Sequence, residues 1–372
     1  MSVDDARSGQ LRARTLPREA LGDPRSYDRR SCRVTDCSGE QGFRPELREH
    51  GFARADLSRL RGVQAALGRV RDAGRVDEAD AAEIRRGLTG RRVPLSGGAR
   101  LWVLHVAREG FFMRRGGPNG MPMGSDTLGM NGHDAAVMVH ADQDVDGTPL
   151  RQILRGAAPW LFHHDSPDRS NRRSRLFLVN LWIPLEQVTR PLALMDKRSL
   201  DRRAHQLRHG LVTDSFLQRR EDMRVNDIWT FLHDDGQRWY FSSEMDMNTG
   251  YVFETLGTPH GSLVLAGEER AEARYRQLVA AADAVQRGDE AGAARALAAD
   301  EGPCGVGAWR EPATAPLRQA IAVMEGLLAE GRASSTALCR GEGAAGWVAR
   351  ARAAAERVVR KSLEMRVIGL VM

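Results

Sequence analysis

Short apolar runs separated by turn signals fill the middle of this 372-residue sequence and restrict its fold more than any other feature. The runs at 101–106, 176–182, 191–195, 228–232, 238–241 and 251–254 are too short for ordinary helices. They are rich in β-branched and aromatic residues, so they predict strands. Asp234-Asp235-Gly236-Gln237 reads as a hairpin turn between two of them, and 116–120 as a loop. Many short strands of this kind predict a mainly β fold with flanking helices. The core expected is a double-stranded β-helix, a cupin-like jelly-roll, whose mouth is a natural site for a metal and a ligand.

The flanks read differently. Residues 1–48 are polar, Arg-rich and turn-rich, which predicts a mobile N-terminal segment. From Asp56, a candidate N-cap, the residues Leu57, Leu60, Val63, Leu67 and Val70 recur at helical spacing. A second helix is expected from Asp77 to Leu88, stopped by Gly90. Residues 49–95 then form a helical N-terminal extension, and 96–280 the jelly-roll core. Beyond Ala266 the chain turns Ala-rich, with a break at Gly302–Gly305, and 281–372 reads as a helical C-terminal extension that packs on the barrel or makes a homodimer contact.

Composition excludes several classes. A hydrophobic content of 42% is enough for a real core. The net charge of +6 would suggest nucleic acid, but Lys197 and Lys361 are the only lysines, and acidic residues are interleaved with the arginines throughout. That pattern fits GC-rich codon usage, and no aromatic-studded basic platform accompanies it. Cys32, Cys37, Cys304 and Cys339 form no Cys-x-x-Cys pair, which argues against a zinc finger and against a disulfide framework. No apolar run suits a signal peptide or a membrane span, so a soluble cytoplasmic protein acting on a small molecule is expected.

The chemistry-bearing candidate is His140-Ala141-Asp142, which ends the apolar stretch 135–139 and is answered downstream by His260. On a strand, residues i and i+2 point the same way, so His140 and Asp142 can converge on one ion. Two imidazoles and one carboxylate on one face of a metal leave the opposite face open, the arrangement non-haem Fe(II) oxygenases use.

From about Val139 to Arg276 the chain resembles the 2-oxoglutarate-dependent oxygenases of bacterial and fungal secondary metabolism, in the subgroup of gibberellin-desaturase-like and cephamycin-hydroxylase-like proteins. The resemblance is carried by Val139-His140-Ala141-Asp142, by Asn180-Leu181-Trp182-Ile183-Pro184-Leu185, by 191–199, and by Trp239-Tyr240-Phe241 with Met245 leading to Pro259-His260-Gly261-Ser262. It implies catalytic and metal-ligating roles for His140, Asp142 and His260, with Fe(II), O2 and 2-oxoglutarate as metal and cosubstrates. It also implies hydroxylation, desaturation or ring closure of the substrate, with release of succinate and CO2. Asp142 argues against the halogenating variants of this chemistry, which leave that ligand position small.

Two departures stand out. The place where the family carries Arg in its Asn-x-Trp-x-Pro-Leu stretch is Ile183, and the family's Arg-x-Ser strand is missing just after His260. The corresponding stretch, 268–276, has Arg without Ser and reads as helix. Arg270 is nevertheless the first choice to grip the far carboxylate of 2-oxoglutarate, because an Arg some ten residues beyond His260 is what the resemblance implies and a planar guanidinium can bind a carboxylate bidentately. Asn180 and Arg274 join it as cofactor-binding candidates, with Arg276 and Arg175 behind them.

Phe111, Phe112, Met121, Met123 and Met130 are candidates for a pocket wall or for plain core. His163-His164-Asp165 is a candidate substrate contact on a loop. Two rival readings remain: a cupin-like metal enzyme that does not use 2-oxoglutarate, and a non-catalytic binding module whose Arg-rich ends engage an acidic partner.

Overall fold

The computed structural model describes residues 6–14, 27–38, 43–123, 130–135, 138–146, 154–186, 189–212, 225–299 and 311–372. Its strands are β1 (Ala6–Arg14), β2 (Tyr27–Asp36), β3 (Phe52–Asp56), β4 (Arg92–Pro94), β5 (Arg100–Val106), β6 (Phe112–Gly116), β7 (His133–Asp134), β8 (His140–Ala141) and β9 (Leu176–Pro184). They continue with β10 (Leu192–Met195), β11 (Gln206–Val212), β12 (Val225–Phe231), β13 (Trp239–Phe241), β14 (Thr249–Glu254), β15 (His260–Ser262), β16 (Val264–Leu265) and β17 (Arg360–Val371).

These strands form two mixed sheets. A 9-stranded sheet runs β11-β12-β8-β15-β10-β13-β2-β1-β16, and an 8-stranded sheet has the path β3-β14-β9-β17-β5-β4, with β6 paired to β17 and β7 to β6. All six short runs read as strands from the sequence are strands here. The sheets meet side chain to side chain where Asn180 of β9 donates to Asp142, just past β8, and where Arg360 of β17 donates to Ser262 of β15.

Alternation along β9 and β17 sorts their side chains between two environments. Val179, Leu181, Ile183, Leu363, Met365 and Val367 belong to an apolar core shared with Val63, Leu67, Ile84 and Leu88 of helices Arg61–Ala73 and Glu78–Leu88. The residues between them, Asn180, Trp182, Arg360 and Glu364, are turned to the other sheet. Ile183 therefore lies in the helix-facing core, where an Arg would be buried without water or a partner.

Several expectations need correction. The helix expected from Asp56 begins at Arg61 instead, because Asp56 closes β3 and accepts hydrogen bonds from Ser58 N and Oγ in a turn. Asp77 does cap the next helix, accepting from Asp80 N. Within the segment 1–48, expected to be mobile, the described residues 6–14 and 27–36 are strands: β1 pairs with β2 and β16, and β2 with β13, through backbone hydrogen bonds that the polar side-chain pattern hid. The turn Asp234–Gln237 is present, yet β12 and β13 are not partners, since β8, β15 and β10 stand between them.

The largest correction concerns residues 281–372. They do hold helices Ala315–Cys339 and Ala344–Glu356, which pack with Glu268–Gln286 and Glu290–Ala298 around buried Leu278, Met324, Leu328 and Trp347. But the chain then returns as β17, which takes a central place in the second sheet between β9 and β5. The helices are thus an insertion between two strands and not a tail. The expected break at 302–305 lies outside the described residues.

Met365 on β17 is fully buried between β9 and the helix layer. Met365→Ala should cost about 2–5 kcal/mol of stability through lost contacts and a cavity. Half-exposed Met372 should tolerate the same change, and urea denaturation of the two variants checks the contrast.

Candidate metal centre

His140 and His260 stand opposite one another in register across β8 and β15, with ring centroids 4.4 Å apart. Asp142 completes the group: its Oδ1 is 3.4 Å from His140 Nε2, and its Oδ2 is 3.9 Å from His260 Nε2. One ligand atom from each of the three residues lies within 4.8 Å of the other two. The remaining ring nitrogens are tied to backbone, His140 Nδ1 to Met138 O at 2.8 Å and His260 Nδ1 to Thr258 O at 3.1 Å. A carbonyl accepts only from N–H, so the proton sits on Nδ1 and the Nε2 lone pair of each ring turns to the shared space.

Burial and the neighbouring His140 push the His260 imidazole down to about 4, so it is neutral and able to ligate. Burial opposes ionisation of Asp142, but His260, His140 and Arg366 outweigh it and hold the carboxyl well below its ordinary range. On His140, burial is outweighed by the contact with Asp142, and the imidazole is raised. Two neutral-capable imidazoles and one carboxylate form the donor set of a divalent metal of the iron type.

Buried polar groups hold this set in place. Asn180 Nδ2 donates both to Asp142 Oδ2 and, at 2.8 Å, to Glu364 Oε1, while Asn180 Oδ1 accepts from Thr255 Oγ1 at 2.8 Å. Glu364 in turn pairs with Arg114 Nε at 2.8 Å. A small cavity against the two imidazoles is walled by Arg114, Trp182, Leu192, Phe253, Arg360 and Glu364.

Arg360 is 4% exposed, and its Nη1 donates to Ser262 Oγ at 3.1 Å and Arg190 O at 3.4 Å. Burial, with Arg190 and Arg114 nearby, pushes its guanidinium down to about 9. Among the described residues its Nε has no hydrogen-bond partner, nor has the Oγ of fully buried Ser362, two residues on along the same face of β17.

The structure brings His140, Asp142, His260 and Asn180 together, Asn180 as a support for Asp142. It does not bring Arg270 or Arg274 to them. Arg270 pairs through Nε and Nη2 with Glu325, and Arg274 Nε reaches the same carboxylate at 3.1 Å, because 268–286 is a helix that turns both toward helix Ala315–Cys339. Arg276 pairs with Glu272 in its own helix, and Arg175 is exposed. Asp144, the next carboxylate after Asp142, is ion-paired with Arg208 at 2.8 Å.

Phe111 and Met130 pack in the helix-side core and not on the cavity wall. His163 stacks on Phe177 and lies 3.2 Å from Glu254 Oε1, while Asp165 pairs with Lys197, so that motif is a buried ion network apart from the triad.

The residues missed in the sequence are Arg114, Glu364, Arg360 and Ser362. The last two had a visible signal. Arg360-Lys361-Ser362 is an Arg-x-Ser opening a strand-like run, but it stands beyond the helical insertion, far from the position after His260 where it was sought.

Residues 112–265 match a family model described as an oxidoreductase/YMDC permease-like domain. This stretch is under half of the chain, and it contains all three residues of the triad. Among the described residues, no helix is long and apolar enough to cross a membrane. No curated protein sequence matches the chain.

Among solved structures, the chain is similar to a variant of the iron and alpha-ketoglutarate-dependent endoperoxidase NvfI, at 13% identity and a TM-score of 0.48, over 100% of this chain and 99% of that one. A structure of NvfI in a different conformation aligns at 13% identity and a TM-score of 0.46, over 98% of this chain and 96% of that one. Likeness at this level says what the chain is similar to and nothing of its chemistry.

His140→Ala and His260→Ala should each abolish Fe(II) binding without unfolding the protein. Asn180→Ala should weaken Fe(II) binding by about 10- to 100-fold, as loss of a support behind a ligand does. Anaerobic metal titration beside circular dichroism measures all three, and full iron occupancy in either His variant would refute the centre.

Proposed function

We propose that the chain is an Fe(II)/2-oxoglutarate-dependent oxygenase with a jelly-roll core, acting on a small natural-product-like molecule. The observation that carries this reading is the pairing of the His140/Asp142/His260 set with a buried Arg360 that lacks a carboxylate partner among the described residues, both against one cavity. A buried guanidinium bonded only to neutral groups has lost its hydration without an anion in return. The unpartnered Ser362 Oγ beside it has the same deficit. One carboxylate on the ligand would satisfy both, with charge-assisted hydrogen bonds from Arg360 and an O–H donor from Ser362.

Charge counting supports a ligand with a far carboxylate. Arg114 is matched by Glu364 and Arg190 by Glu268, while Arg360, on the cavity wall, has no carboxylate partner among the described residues. Arg360-Lys361-Ser362 is also the Arg-x-Ser pattern that the family resemblance calls for, delayed by the helical insertion. Arg360 therefore replaces Arg270 as the clamp.

His140, His260 and Asp142 would hold the iron, and the two Nδ1 contacts fix which nitrogen each ring presents. Asn180 keeps the Asp142 carboxylate from rotating. Trp182, Leu192 and Phe253 supply apolar walls that keep water away. The bound metal and cosubstrate supply the oxidising power, 2-oxoglutarate and O2 giving succinate and CO2 while a substrate carbon–hydrogen bond is hydroxylated or desaturated.

Arg360→Ala should weaken 2-oxoglutarate binding by tens to thousands of fold, from a loss of about 2–5 kcal/mol, and leave Fe(II) affinity nearly unchanged. Arg270→Ala should be silent. Anaerobic titration of the Fe(II)-loaded protein with 2-oxoglutarate reads both, and wild-type affinity in Arg360→Ala would favour a metal enzyme that does not use this cosubstrate.

A further inference from the structure

Arg360 has a buried neighbour of its own charge. A Cβ on Gly116 would lie 3.5 Å from Arg190 Nη1 and 3.7 Å from Arg360 Cζ, so the two guanidinium groups pack over the same glycine. Arg190 is only 2% exposed. Its Nη1 donates to Gly117 O at 2.7 Å, and its Nε lies 3.6 Å from Glu268 Oε2.

Glu268 is fully buried and is the first residue of helix Glu268–Gln286. Its carboxylate is fixed by backbone, Oε1 accepting from Leu265 N at 2.9 Å and Oε2 from Asn119 N at 2.8 Å. Arg360, packed over the same glycine as Arg190, also feels the Glu268 charge, and the nearby Glu364 is paired with Arg114. Which cation Glu268 holds decides whether Arg360 is available to a ligand.

We propose that Arg190 is a positioning residue for the cosubstrate: by occupying Glu268 it keeps the Arg360 guanidinium free of any internal carboxylate and open to the ligand's far carboxylate. This rests on the oxygenase reading above. It gives the helical insertion a role in the site, because Glu268 is its first residue. In a low-dielectric interior an orphaned carboxylate seeks a cation, and with Arg190 gone Arg360, packed beside it over Gly116, is the candidate among the described residues.

The test is an anaerobic titration of Fe(II)-loaded protein with 2-oxoglutarate and, separately, with oxalate, which chelates iron but has no far carboxylate. Arg190→Met should weaken 2-oxoglutarate binding about tenfold or more, because Glu268 then captures Arg360. Oxalate affinity should stay within about threefold of wild type. The double variant Arg190→Met/Glu268→Gln removes the competing carboxylate, and 2-oxoglutarate affinity should return to within about threefold of wild type.

A double variant as weak as the single one, an unaffected single variant, or a parallel loss of oxalate binding would each overturn the proposal, since a merely structural role predicts no rescue and no selectivity. If Arg190→Met does not fold, Glu268→Gln alone decides. It should bind 2-oxoglutarate at least as tightly as wild type, and weaker binding overturns the idea. Wild-type protein that binds Fe(II) but no 2-oxoglutarate would instead sink the oxygenase reading, and this inference with it.

Discussion

Everything at the centre depends on one register: His140 of β8 opposite His260 of β15. Side chains alternate along a strand, so a slip of one residue in this pair would turn one imidazole out of the shared space and leave Asp142 beside a single nitrogen. The register is secured from both sides. β8 is also paired with β12 at His140 and Ala141, and β15 with β10 through three consecutive residues, while Trp229, Phe231, Ala193 and Met195 pack in the apolar cluster with Ala141. Apolar packing thus fixes the strand register, and the contacts of His140 with Met138 O, His260 with Thr258 O and Asp142 with Asn180 then set how each ligand is presented.

Around that pair, charge is handled by matching. Asp142, Glu364 and Glu268 are buried, as are Arg190 and Arg360, and unmatched charges at such depth are costly. The observed contacts match Glu364 with Arg114 and Glu268 with Arg190 and give Asp142 the amide of Asn180. A buried ion pair adds little net stability, so these pairs matter chiefly for what they leave over.

Much of this was legible in the sequence, and the reasons it was partly hidden are physical. The triad was readable as a candidate because His140 and Asp142 stand at a strand end with i, i+2 spacing and His260 answers them downstream, and Asn180 because it opens the Asn-x-Trp-x-Pro-Leu stretch of the resemblance. β17 was not readable. Its inward residues Arg360, Ser362 and Glu364 are polar, since they face the site, so the run lacked the apolar signature of a central strand and followed on from a helical stretch. Arg270 lies away from the triad for the opposite reason: the strong helix propensity of 268–276, noticed in the sequence, turns it toward Glu325. β1 and β2 escaped notice because their strand character lies in backbone pairing, which composition does not report.

The central place of β17 has a consequence for how the protein is made. This strand follows every other described strand in the sequence, yet it separates β9 from β5. During synthesis the second sheet stays split, with one edge of β9 uncovered, until the helical insertion and β17 have left the ribosome. An uncovered edge invites pairing with other chains, and domains with such late, long-range closure are exposed to misassembly while they wait. The helical insertion has its own buried core and can form first, bringing β17 back to the open edge. Because Arg360 and Glu364 arrive with that strand, the same event that seals the sheet also completes the cavity wall, and a nascent chain cannot present a finished site before its fold is closed.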